Sequence, residues 1–228
     1  MSLGVSAQLQ QYYRDAGWLN GLGHGALTRA GDSVDWLGGL YAIQRQANLP
    51  IHVGARTALG LHGQAHYLEV NMQSAQLFAP ATAKLPAWFR NHDWGVRLEL
   101  HNTNFLPPDL GLVEVQHKLF TIKASGAARA MMECLYLAPE HFDLVEAFQV
   151  MEGLATLRPS SVQELLEECR SFKVKRLFLF MADKAGHTWF KHLEPSKVSL
   201  GEGKRSLAAG GVYVPQYLIT VPRELASP

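Results

Sequence analysis

Charge is scarce in this chain and nearly balanced: Asp, Glu, Lys and Arg make up 18% of it, and the formal net charge is +1. That excludes a polycation that coats nucleic acid by bulk charge, so any contact with an acidic partner must be local. No apolar run approaches the roughly 18 residues of a membrane-span candidate, and no basic–apolar–small leader opens the sequence. Cysteine is limited to Cys134 and Cys169, far apart and each within a helical apolar pattern. Two such thiols read as core residues, not as a disulfide or metal pair, and suit a cytoplasmic setting. Repeats and low-complexity tracts are missing too. What is present is ordinary globular material: 228 residues, 47% of them hydrophobic, enough to bury a substantial core.

The N-terminal stretch has a distinctive order. Ser6 can cap a helix in which Val5, Leu9, Tyr12 and Ala16 share a face, and Gly17 is a natural stop. Trp18–Leu22 and Ala26–Arg29 read as two short strands around the glycine turn Gly23-His24-Gly25. Helix, strand, turn, strand is the C-terminal half of a winged helix. Its outward helix side carries Gln8, Gln11 and Arg14, which suit base-edge and phosphate contacts in a major groove. His24 and Arg29 stand where a wing meets backbone or minor groove.

Beyond it, Asp32 or Ser33 is expected to cap a helix from Val34 to Ala47, and Thr57–His62 a short one closed by Gly63. Residues 66–122 read as β-rich, with alternation at Leu68/Val70/Met72 and at Val96/Leu98/Leu100. From Ser125 the period turns helical, giving helices over Ala127–Leu137, His141–Gly153, Ser161–Cys169 and Lys173–Lys184. Ser161 with Glu164 has the form of a capping box, and Tyr213–Val221 alternates as a strand.

The charges are unevenly placed. Residues 133–167 are net −6 and residues 170–205 net +6. Within the basic stretch, a helix from 173 turning Val174, Leu177, Phe178 and Met181 inward leaves Lys173, Lys175 and Arg176 outward. There, with Lys204 and Arg205 of a basic turn, they can touch phosphates or an acidic partner, or form only a solvated face.

Catalytic patterns are thin. Pro108-Asp109 followed by Glu114-Val115-Gln116 resembles a metal-dependent nuclease pattern with Gln116 in the lysine position and Lys118 nearby, but two spaced acids do not make a Mg²⁺ site. His62 and His66 stand four apart, with Gly63 interrupting the helix and no third ligand marked. Ser125 has no nucleophile-elbow context. The expectation is a protein without catalysis, metal or cofactor.

A resemblance sharpens this. Gly17-Trp18-Leu19, Leu22-Gly23-His24-Gly25-Ala26, Asp35-Trp36 and Thr57-Ala58-Leu59 followed by His62-Gly63 resemble the N-terminal region of the AbiEi family. The segments ARAMMECLYLAP, MEGLATLRPSSVQELLEEC, KVKRLFLFMADKAGHTWF and GEGKRSLAAGGVYVPQYLITVP resemble its C-terminal domain, so the likeness spans nearly the whole chain. It implies a type IV antitoxin that represses its own operon from promoter DNA. The implied counterpart is a nucleotidyltransferase-like toxin, neutralised without a stable complex. By position the recognition helix is Ser6–Ala16 and the wing Trp18–Arg29. Relatives carry two further helices before the recognition helix, whereas five residues precede Ser6 here; the resemblance places those helices upstream of Met1. Gly126-Ala127-Ala128-Arg129-Ala130 also stands where relatives often read Ser-x-Glu-Arg-Ala, so that acid is missing.

The expected architecture is α/β (α+β): a partial winged helix-turn-helix over 1–31, then a larger mixed α/β domain over 32–228 with C-terminal helices. Its expected role is DNA-binding autorepressor and antitoxin. A protein-interaction module and, further off, a nuclease-like enzyme are the alternatives.

Overall fold

The computed structural model describes residues 6–63 and 73–226. Ser6 accepts from the Leu9 N–H at 3.2 Å and opens α1 (Ala7–Asp15), the side-chain cap that the sequence announces. Beyond Gly17, β1 (Leu19–Gly23) and β2 (Ala26–Arg29) pair antiparallel, with Leu19 opposite Arg29. A separate five-stranded mixed sheet forms the centre of the larger body, in the order β5 (Arg97–Asn102), β4 (Ser74–Ala79), β3 (His52–Val53), β7 (Phe120–Ser125), β6 (Leu112–His117). β4 runs parallel to β5 and β3 to β7, while the other pairs are antiparallel.

Helices α2 (Trp36–Arg45) and α3 (Ala55–Leu61) pack on this sheet, and α5 (Ala127–Leu137) continues directly from β7. Buried Gln44 of α2 uses its whole amide as a stitch. Its Nε2 donates to Ile51 O (2.7 Å) and Lys123 O (3.0 Å), and its Oε1 accepts from Lys123 N (2.8 Å). No polar atom of that side chain goes unpaired, as burial demands. α6 (Leu144–Glu152), α7 (Pro159–Glu168) and α8 (Phe172–Lys184) surround α5. From Val174 to Ala182 every residue of α8 is buried, which is the signature of a helix covered on all sides. A small sheet of β8 (Arg205–Ser206), β10 (Ile219–Val221) and β9 (Val212–Val214) closes the chain with α9 (Arg223–Ala226).

Several sequence expectations shift. α2 is capped by Asp35, whose Oδ1 accepts from Gly38 N at 2.9 Å, and not by Asp32 or Ser33. α3 begins at Ala55, two residues before Thr57. The β-rich stretch contains a helix, α4 (Ala87–Asn91), and the alternation at Leu68/Val70/Met72 lies outside the described residues. α6 starts at Leu144 behind an Asp143 cap, after His141. α7 starts at Pro159, so Ser161 and Glu164 lie inside it and form no capping box; Pro at the first position needs no N–H partner. The Tyr213–Val221 alternation is broken at Pro215–Tyr217 and Leu218 into the separate strands β9 and β10.

Candidate nucleic-acid interface

Every residue of α1 is exposed. Helical spacing divides it into two faces. Gln8, Gln11 and Asp15 lie on one side with Gln10 and Arg14 beside them; Leu9, Tyr12, Tyr13 and Ala16 lie on the other. Gln11 Nε2 donates to Asp15 Oδ1 at 2.8 Å, which fixes the amide's orientation on the polar side. Between α1 and the hairpin is an open concavity lined by Gln10, Tyr13, Arg14, Trp18, His24 and Arg29. Arg14, His24 and Arg29 therefore meet at one surface, whereas Gln8 and Gln11 stand outside its lining. Gln10 joins the bases there; its helical phase, 300° against 340° for Arg14, was available in the sequence.

The hairpin does not project freely. A Cβ added at Gly23 would fall 2.9 Å from Trp88 Cβ, so β1 lies directly on α4. Trp88, Phe89 and Trp94 form one aromatic cluster with centroid separations of 5.2–6.4 Å, and Trp94 Nε1 donates to Phe89 O at 2.7 Å. The connection to α2 is held from the other side. Asp35 Oδ2 lies 2.7 Å from Lys118 Nζ and 2.8 Å from His117 Nε2, both at the β6–β7 turn. Burial works to raise the Asp35 carboxyl, yet Lys118, His117 and the Gly38 N–H outweigh it and bring its pKa to about 2.

The basic C-terminal segment is placed otherwise than its pattern implies. Lys175 and Arg176 are buried, at 5% and 2% exposure. The Arg176 guanidinium donates to Leu200 O (2.8 Å), Gly203 O (2.9 Å), Leu218 O (3.0 Å) and Glu202 O (3.2 Å). Lys173 Nζ donates to Tyr136 O at 2.7 Å and to Ala138 O. Lys173 and Arg176 hold loops together, and carbonyls take four of the five N–H donors of Arg176. Lys204 and Arg205 are exposed, as a basic turn should be.

A buried polar cluster lies beneath the sheet. Glu133, fully buried on α5, accepts from Arg129 Nε (2.9 Å), Ser125 Oγ (2.8 Å) and Ala55 N (2.9 Å), with His52 Nε2 at 3.0 Å. Arg129 Nη1 also donates to Pro107 O and Leu110 O. Burial works to raise the Glu133 carboxyl, but His52, Arg129 and the Ala55 N–H prevail and hold it below the usual range. An acid one helical turn after Arg129 thus serves the interior where the Ser-x-Glu-Arg-Ala form would place one before it. Ser125 is a donor in this cluster, and His62 Nε2 lies 2.8 Å from Ser125 O; His66 is outside the described residues. Cys134 and Cys169 are buried, where desolvation pushes both thiols up.

The nuclease-like acids stand apart in role. Glu114 pairs with Arg45 at 2.6 Å and lies 3.3 Å from Thr121 Oγ1, while Asp109 is 3.5 Å from Lys123 Nζ. Among the described residues no three His, Cys, Asp or Glu side chains are grouped to hold a metal.

An exposed helix followed by a two-stranded wing, on a mixed α/β body, has the form of a DNA-binding regulator. Residues 1–70 match the model of the transcriptional-regulator AbiEi antitoxin N-terminal domain, and residues 72–222 that of the transcriptional-regulator AbiEi antitoxin of type IV toxin–antitoxin systems. The chain belongs to this AbiEi antitoxin family. No curated protein matches it. Among solved structures it resembles the RV2827C protein from Mycobacterium tuberculosis, with a TM-score of 0.60 at 15% identity, over 93% of this chain and 78% of that one. At that identity the likeness concerns the fold.

Proposed function

We propose that this chain is a cytoplasmic, non-catalytic autorepressor that binds the promoter DNA of its own operon. In this reading the chain divides near residue 31, and the part before it reads DNA. The observation that carries the reading is the surface shared by α1 and the wing: Arg14, His24 and Arg29 line one concavity, beside a fully exposed helix bearing Gln8 and Gln11. Gln11 and Gln8 read base edges in the major groove, where a glutamine amide matches adenine with two hydrogen bonds. Arg14, His24 and Arg29 meet the backbone and set the register. The larger body counteracts a nucleotidyltransferase-like toxin without forming a stable complex with it, so the two proteins act on a shared process.

A mobility-shift titration tests the DNA reading. Gln11→Ala should weaken operator binding about 5- to 150-fold, from the roughly 1–3 kcal/mol that a good amide–adenine pair contributes, and leave non-specific duplex binding unchanged. Operator binding equal to the parent's by both Gln8→Ala and Gln11→Ala would remove the reading face from α1.

A further inference from the structure

We propose that the start of α8 and the loop Gly201–Arg205 form a binding surface for an unpaired nucleic-acid strand, separate from the α1–wing surface and independent of it. Phe172, the first residue of α8, is 46% exposed although it is aromatic. Its ring lies on the backbone of Gly201, where an added Cβ would come within 2.8–2.9 Å of three ring atoms. Glycine at 201 is what allows that approach. The loop beneath is rigid because the buried Arg176 guanidinium ties together its carbonyls at 200, 202 and 203 and that of Leu218.

The charges near this loop are the buried Lys175 and the exposed Lys204 and Arg205, set against exposed Glu202 in the loop and Glu140, whose charge acts on Lys173. Lys175 Nζ lies 5.9 Å from the Phe172 centroid, and Lys204 Nζ lies 4.6 Å over the Tyr213 ring. Arg205 is exposed, and its charge reaches Lys173 on the next position of α8. Between Pro195 and Arg223 the sequence holds a single acid, Glu202; Arg176 binds its backbone carbonyl, and the residue is exposed in the loop beside Lys204 and Arg205. An exposed ring beside exposed cations on a rigid loop is the combination that binds single strands: bases stack on the ring while the cations track the phosphates. A duplex hides its base faces within the stack and cannot use Phe172. An acidic protein would satisfy the cations and gain nothing specific from the ring.

The test is fluorescence anisotropy of the full chain with a short labelled oligouridylate and, in parallel, an oligodeoxythymidylate, each at low and moderate salt. The parent is expected to bind at least one, and the arm that binds identifies the strand as RNA or DNA. Phe172→Ala should weaken that binding about 10-fold or more, and Phe172→Tyr should retain it. Lys204→Ala with Arg205→Ala should lower the salt slope by about 1.4, the value for two lost single-strand phosphate contacts. All three positions are exposed or half-exposed, and unchanged thermal melts check that the variants fold. Gln11→Ala should leave oligonucleotide binding intact, which separates this result from failure of the operator reading. The proposal is overturned if neither oligonucleotide binds at low salt, or if Phe172→Ala binds as the parent does. Displacement by polyglutamate at matched charge would also overturn it, in favour of an acidic protein partner.

Discussion

Glu133 and Arg176 are the residues whose burial is least expected from their type, and each is explained by the partners it finds. A buried ion pair is weak evidence of net stabilisation, but removing one member strands the other in a dry interior. Glu133→Ala would leave Arg129, Ser125 Oγ and the Ala55 N–H without their acceptor. We expect it to lose about 3–5 kcal/mol in denaturant unfolding; a loss below about 1 kcal/mol would mean that water replaces the carboxylate. The pH sense follows from the same contacts. The folded-state pKa of Glu133 is depressed, so its contribution is present above the usual carboxylate value of 4.5 and lost as pH falls through the folded value. Neither burial was legible in the sequence. Val174, Leu177, Phe178 and Met181 were enough to fill one helix face, which left Arg176 assigned to water. The carbonyls that claim its guanidinium come from Leu200, Glu202, Gly203 and Leu218, distant in sequence and invisible to periodicity.

Elements with their own start and stop signals were readable, and elements defined by tertiary contact were not. α1 is capped at Ser6 as expected, α5 spans Ala127–Leu137 as expected, and the hairpin turns at His24–Gly25. α4, with five residues and no side-chain cap, is too short to show a period and exists by packing Phe89 and Trp94 together. The cap of α2 lies two or three residues past the expected Asp32 or Ser33 because Asp32, Ser33 and Asp35 are all competent caps, and the choice falls to the one that Lys118 and His117 can also reach. Asp35→Ala removes a cap worth about 1 kcal/mol on typical values, and we expect a corresponding drop in unfolding free energy. With the folded pKa near 2, the Asp35 contribution is present above the ordinary value of 3.8 and lost as acid takes pH down through 2. The docking of β1 on α4 makes a different prediction. Gly23→Ala should raise amide hydrogen exchange in β1 and β2 well beyond any change in the five-stranded sheet, because its Cβ would fall 2.9 Å from that of Trp88 and press the wing off α4. Uniform exchange across both sheets would show that the wing is held by something else.

At the scale of the molecule, near-neutral net charge conceals a separation that the sequence showed as net −6 over 133–167 and net +6 over 170–205. Part of that contrast is internal: Glu133, Lys175 and Arg176 are spent on the core, so the surface poles are weaker than the counts. Two pairs of exposed cations bear on the nucleic-acid readings, Arg14 and Arg29 at the N-terminal concavity and Lys204 and Arg205 on the C-terminal loop. If the operator is held at the first place alone, the two sets act independently in a salt titration on duplex DNA. Each phosphate contact with B-DNA adds about 0.9 to the slope of log K against log salt. Replacing Arg14 and Arg29 by alanine should therefore flatten that slope by about 1.8, with affinity lost evenly across operator and unrelated duplex. Replacing Lys204 and Arg205 should leave the duplex slope where it was. A flattening of similar size from the second pair would place one duplex across both surfaces, and the wing would then be one part of a footprint that includes the C-terminal loop.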